Sequence, residues 1–274
     1  MRLPQILLAL PLLPFAAPPP SATDMKLPSL ARSAVAAALP YLTERACLSC
    51  SSPCSQDACQ TNTPGGLLLL TTFWDYSPAT GPDDSFTMHG LWPDTCSGGY
   101  DSDCDSSRNV ADIAGALQSA GATDTLDFMN QYWLDVNGDN NQFWSHEWNK
   151  HGTCVSTLAP KCYGSSYSTN EDLADYFTTA VDLFKGLNLY KAFTAKGIYP
   201  SSSKTYTKSQ LQSAAKAAFG YTPAFRCRSG KLTEAWHFHE TTGRSTSADA
   251  FTRVAPISGT DNCPSSGISW VPKS

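Results

Sequence analysis

Ten cysteines constrain this chain more than any other feature; they stand at 47, 50, 54, 59, 96, 104, 154, 162, 227 and 263. An even count behind a secretory-type leader reads as five disulfides made in an oxidising compartment. Four of them crowd into CLSCSSPCSQDAC (47–59). A zinc knuckle is the alternative there, since C-x-x-C stands at 47–50, but no histidine lies nearby to complete it. The leader is MRLPQILLALPLLPFAAPPPSA. Arg2 gives a short positive start. The apolar run Ile6–Ala17 is too short to span a bilayer, and Pro11 and Pro14 interrupt it. Residues 1–22 are therefore expected as a signal peptide, with an approximate cleavage point, and 23–46 as an N-terminal arm or propeptide. Residues 47–274 follow as a single domain, secreted to the extracellular space or kept in a vacuole. No membrane partner is expected.

Charge narrows the partners. With 24 Asp and Glu against 19 Lys and Arg, the formal charge is −5. Such a chain does not hold a polyanion on a broad basic face. Attraction must be local, or the working pH must be acidic. Charged residues make up 16% of the chain and hydrophobic ones 41%, too few and too many respectively for a disordered segment. No Asn-x-Ser/Thr sequon occurs, because Asn62-Thr63 is followed by Pro64.

The elements read as α+β. LLLLTTFW (67–74) is a buried strand and SPATGPDD (77–84) a loop. FTMHGLW (86–92) is extended, with Pro93 expected to stop it and His89 near its end. Helices are expected over 108–119, 123–133 and 143–151, with VNGDNN (136–141) as a turn. Leu173, Phe177, Ala180, Val181 and Phe184 form one apolar stripe on a helix over 170–187, read as core packing. Thr207 and Gln210 make a capping box for a helix through Phe219. Segments 223–228, 231–240 and 250–257 read as strands. The elements do not alternate regularly, so the expected architecture is a central antiparallel sheet with several helices, stapled by disulfides.

The densest chemistry lies in FWSHEWNKHGTC (143–154). On a helix, Glu147, Lys150 and His151 lie at about 100°, 40° and 140° from His146, on one broad face. Trp148 and Asn149 point elsewhere, and Gly152 suits a left-handed cap. A zincin helix needs histidines at i and i+4. Here they are at i and i+5 with a lysine between, so no metal site is expected. A polar helix with satisfied histidines is the plain alternative. SFTMHGLWPD (85–94) weighs against it by supplying His89. His237 and His239, in AWHFHE, alternate along a strand and are assigned no role. Histidines on separate elements suit RNA phosphodiester chemistry, in which the ribose 2′-OH is an internal nucleophile. A base takes its proton, an acid protonates the leaving oxygen, and a cation meets the phosphoryl charge. No cofactor is needed.

HGLWPD (89–94) and FWSHEWNKHGTC resemble the two active-site segments of the ribonuclease T2 family, fungal type. The likeness runs from about Cys47 to Cys263, through TGPDDSFTMHGLWPDTCSGGY and DYF…YKAF. It implies an α+β fold and a secreted, metal-independent acid endoribonuclease. Its substrate would be single-stranded RNA, cut through a 2′,3′-cyclic phosphate to 3′-phosphate products, and the protein would be a monomer. His89 matches the general acid and His151 the general base. Glu147 and Lys150 match the pair that stabilises the transition state, and His146 the phosphate contact. Trp92, Asp94 and Tyr100 match a base pocket, and Phe143 a second base site; core packing is the alternative for Trp92. The resemblance also implies disulfides Cys104–Cys154 and Cys227–Cys263. Some fungal relatives carry a C-terminal extension; this chain ends shortly after Cys263, so none is expected. Thr72 stands before Phe73-Trp74 where relatives often carry glutamine, and Cys54 and Cys59 are separated where fungal relatives often have adjacent cysteines. The competing class is a non-catalytic secreted effector or binding protein on the same scaffold. Such proteins commonly lose a histidine; all those matched are present here.

Overall fold

A computed structural model describes residues 47–51 and 57–274. The expected signal peptide, the N-terminal arm and Cys54 lie outside the described residues. The run LLLLTTF forms β1 (Leu67–Phe73). It pairs antiparallel with β2 (Thr87–Asp94) on one side and with the long β5 (Lys231–Thr241) on the other. β4 (Ala224–Arg228) and β6 (Phe251–Arg253) also pair antiparallel with β5. β7 (Ile268–Ser269) makes a parallel bridge to β5 and pairs with β3 (Thr205–Tyr206). The α+β class expected from the sequence stands.

β1 opens on four consecutive leucines because both its faces are covered. Leu68 and Leu70 enter the larger core with Met88, Leu91, Trp144, Trp148, Tyr176 and Phe177. Leu67 and Leu69 pack on the opposite face with Ala224 and Phe238. The larger core is roofed by α1 (Ile113–Ser119), α2 (Thr123–Tyr132), α3 (Asn140–Lys150) and α4 (Glu171–Lys185). All five residues of the α4 stripe are buried. α5 (Leu189–Thr194) and α6 (Lys208–Phe219) cover a second cluster with Trp74, Phe225, Leu232 and Trp270. The capping box of α6 forms as its sequence specifies.

Several boundaries differ from expectation. Pro93 does not stop β2, which continues to Asp94 with Pro93 opposite Leu68. β2 is an edge strand, where a missing N–H costs no ladder bond. The helix expected over 108–119 starts only after Asp112, whose carboxylate accepts from Gly115 N. Residues 106–108 instead form a short 3₁₀ turn capped by Asp105. α3 begins inside the expected turn, capped by Asp139. α5, β3 and β7 are too short for periodicity to reveal.

Four disulfides join described residues: Cys50–Cys96, Cys59–Cys162, Cys104–Cys154 and Cys227–Cys263. Cys47 is disulfide-bonded as well. At the C-terminus, buried Lys273 donates to the carbonyls of Thr80, Pro82 and Ser85 at 2.7–3.0 Å, with its ammonium 4.8 Å from the Trp74 ring centroid. It closes the 77–85 loop over the second cluster. Replacing it with methionine strands three carbonyls, so Lys273→Met should lower stability by about 2–4 kcal/mol in urea unfolding. An unchanged midpoint would show that these bonds contribute nothing net.

Candidate active site

β1 and β2 pair out of step at one point. Thr71 faces Gly90 and Thr72 faces Met88, so His89 is the extra residue of a β-bulge. A bulge re-aims the side chain it carries. His89 thus lies inside the strand, not near its end as expected from the sequence. Three contacts satisfy the bulged backbone. Thr71 Oγ1 accepts from Gly90 N at 3.1 Å, the same hydroxyl lies 3.2 Å from Gly90 O, and Trp133 Nε1 donates to His89 O at 2.8 Å. The ring of Phe73 stacks on the His89 imidazole at 4.0 Å. Phe73 was not picked out from sequence; its place at the end of β1, on the face of Leu67 and Leu69, was the available signal.

α3 is seated by its tryptophans. Trp144 Nε1 donates to Trp133 O at 2.7 Å, and Trp148 Nε1 to Arg108 O at 2.8 Å. The Arg108 guanidinium bonds Asp172 and the carbonyls of Thr153 and Leu158, fixing the chain after the helix. Gly152 is not a left-handed cap, since the chain there continues as a 3₁₀ turn. Glycine is required for another reason: a Cβ would overlap the Trp148 ring.

This seating drives Glu147 into β2, where it is wholly buried. Its Oε2 accepts from Trp92 Nε1 at 2.8 Å, and its Oε1 lies 3.7 Å from His89 Nε2. A Cβ at Gly90 would overlap both Glu147 Oε2 and the Trp92 indole nitrogen. The glycine of HGLWPD is the space the carboxyl occupies. Half-buried Trp92 also meets both imidazoles: His151 lies on it at 5.0 Å and 24°, and His89 meets it edge-on at 4.7 Å. His146 is exposed, 6.4 Å from the His151 ring. Lys150 lies 5.8 Å from the Tyr100 ring centroid, and Phe143 lies 5.8 Å from His89.

Desolvation outweighs pairing here. Burial pushes Glu147 up to about 8, against lowering by Trp92 and Lys150. Burial, with the charge of nearby histidines and Lys150, pushes His89 and His151 each down to about 3. Burial thus favours the uncharged form of both partners in the 3.7 Å contact between His89 and Glu147. His146 is lowered by burial first, then by Lys150.

Asp94 and Tyr100 meet in an antiparallel bridge just beyond β2. Burial alone raises Asp94 to about 7, and its Oδ1 is buried without a partner among the described residues. The loop between them turns through Gly98 and Gly99, both at φ +91°, a left-handed conformation that suits glycine. Disulfides Cys50–Cys96 and Cys104–Cys154 anchor it on either side of exposed Tyr100.

The i, i+5 spacing was expected to keep His146 and His151 from converging on a cation. It does not. One ligand atom each from His146, Glu147 and His151 lie within 4.8 Å of one another. His151 sits at the C-cap with φ −111° and ψ −48°, off the ideal helical wheel. What opposes a divalent cation is Lys150, whose charge already lowers both imidazoles.

The Ribonuclease T2 family model matches residues 65–249. The chain belongs to the ribonuclease T2 family. It is 46% identical to Ribonuclease T2 of Aspergillus oryzae over 220 residues, covering 79% of this chain and 78% of that one. It is likewise 46% identical to Ribonuclease Le2 of Lentinula edodes, covering 82% and 94%. It spans only 54% of a 46% identical Ribonuclease T2-like protein of Emericella nidulans. The crystal structure of Actibind, described as a T2 ribonuclease, matches with a TM-score of 0.76 at 42% identity, over 84% of this chain and 96% of that chain. RNase NT, solved with 5′-AMP, shares the fold at a TM-score of 0.55 and 22% identity, over 75% of this chain and 98% of that one. The family match includes the His89 bulge and the whole of α3.

The neutral imidazoles can be seen directly. In the ligand-free protein, ring NMR should find His89 and His151 neutral at pH 5, titrating near pH 3. Adding a phosphate monoester should raise both, because an anion favours the imidazolium. Free-state values near 6.5 for either ring would refute the buried, coupled geometry.

Proposed function

We propose that this chain is a secreted, metal-independent endoribonuclease. It cuts single-stranded RNA by transesterification to a 2′,3′-cyclic phosphate, then hydrolyses that to a 3′-phosphate. The observation that carries this reading is one indole touched by two imidazoles from separate elements, beside a lysine. In it, neutral His151 takes the 2′-OH proton as that oxygen bonds phosphorus. His89, protonated as phosphate arrives, gives its proton to the departing 5′-oxygen. Lys150 meets the charge on the phosphoryl oxygens, His146 contacts phosphate, and protonated Glu147 donates a hydrogen bond. Trp92, Asp94 and Tyr100 hold one base: the half-buried carboxyl of Asp94 offers an unpaired oxygen to a base amino group, and Tyr100 an exposed ring. Phe143 serves the second. Residues 47–274 form the catalytic domain, behind a signal peptide (1–22) and an arm (23–46). The monomer acts outside the cell or in a vacuole. Among the described residues no helix is long and apolar enough to cross a membrane. A non-catalytic binding role is disfavoured, because nothing in the matched set is missing.

Cleavage of a dinucleoside phosphate should persist in EDTA and fail on the 2′-deoxy analogue. Loss in chelator, or equal cleavage of both substrates, would end the metal-free mechanism. His89→Ala and His151→Ala should each lose at least about 10²-fold in rate. Near wild-type turnover in either would remove its role.

Acid should favour the reaction. Glu147 and Asp94 lose protons near pH 8 and 7 respectively, placing negative charge beside an anionic substrate. The value of kcat/KM should therefore fall as pH rises through 7–8, and Glu147→Gln should flatten that limb while lowering the maximum. Gly90→Ala should displace Glu147 and cost about 10-fold or more, with the far-UV spectrum intact. Unchanged activity in that variant would show that the Glu147 position does not matter.

A further inference from the structure

The face of the sheet that carries His89 continues past Trp92. Thr71 is the strand neighbour of both Gly90 and Trp236, and Ala224 lies beyond, so Trp236 shares the row that holds the catalytic bulge. Its half-buried ring meets Trp92 edge-to-face at 5.7 Å. Glu234 accepts from Trp236 Nε1 at 2.7 Å and fixes the indole. The Arg226 guanidinium lies over that ring at 4.6 Å, steadied by a bond from Nη1 to Thr260 O. Among the described residues Arg226 makes no ion pair. Its cross-strand neighbour Glu234 spends an oxygen on the indole, and burial raises its carboxyl against the lowering by Trp236 and by the Arg226 charge. Structure alone does not require a cation stacked on a fixed aromatic one ring away from an active site.

The surrounding charge agrees. Nine Lys and Arg and no Asp or Glu fall between residues 183 and 233, in a chain of net charge −5. Arg226 is the member of that basic stretch that reaches the catalytic face. An acidic protein acting on a polyanion needs local attraction, and this is a place for it.

We propose that Trp236 and Arg226 form a further nucleotide subsite, which stacks a base of the RNA chain flanking the scissile step and pairs its phosphate. This rests on the endoribonuclease reading above. A stacked base with a cation is tolerant of sequence, so the subsite adds affinity for length rather than base choice. Neither residue touches the reacting atoms.

The test compares a dinucleoside phosphate with a tetranucleotide carrying the same central step. Arg226→Gln and Trp236→Leu should leave kcat/KM for the dinucleoside phosphate within about twofold of wild type. On the tetranucleotide each should lower it about 5- to 100-fold, the range of a lost stacking or phosphate contact. Arg226→Gln should also reduce the salt slope of tetranucleotide binding by about 0.7. Equal loss on both substrates would overturn the subsite, since Trp236 would then act through Trp92. So would no loss on either. Arg226→Gln keeps the test open if Trp236→Leu fails to fold. Binding of a non-cleavable 2′-O-methyl tetranucleotide separates the two readings. If wild type leaves the unmodified tetranucleotide uncut yet binds the analogue, and both variants bind the analogue more weakly, the cleavage reading fails and the subsite stands. If binding is the same in all three, the subsite fails.

Discussion

Everything at the site turns on one buried carboxyl. Glu147 has no access to solvent and is held against β2 through the Trp92 indole. It is the contact that locks helix α3 to the edge strand, and it fits because Gly90 has no side chain. Burying a charged carboxylate there would be costly, so the group keeps its proton well above the usual carboxylate range. The same desolvation holds His89 and His151 neutral. The resting site is thus a nearly uncharged cluster beside Lys150.

Rigidity comes from indole N–H groups and disulfides more than from salt bridges. Trp133, Trp144 and Trp148 each donate to a backbone carbonyl, linking β2, α2, α3 and the 106–108 turn. Each indole buries a large apolar body while its single donor finds a fixed partner. Two disulfides straddle Tyr100, so an exposed ring can still be held in place.

Much of the framework was legible in the chain. The α4 stripe and the Thr207–Gln210 box are local patterns, and both became the elements they signalled. FWSHEWNKHGTC was visible as a density of ionisable groups, and HGLWPD by its likeness to a family segment, without any fold. Other features were hidden because their causes are non-local. Pro93 could continue a strand only because that strand is an edge. Gly152 looked like a cap, but the Trp148 ring decides it. Phe73 sits 16 positions before the His89 it stacks on, a contact made by strand pairing.

The sequence by itself determined the inventory: five histidines, the motif order, ten cysteines and the helix that carries His146, Glu147 and Lys150. These are matters of residue type and short spacing, which covalent geometry carries directly. Only the tertiary structure decided aim and charge. The bulge that turns His89 toward the site exists in the register between two strands. The proton on Glu147 and its absence from the imidazoles depend on how much water packing removes. Which cysteines meet, and that Trp236 lies beside Trp92 across the sheet, follow from the same cause: they are properties of segments brought together, and no single segment contains them.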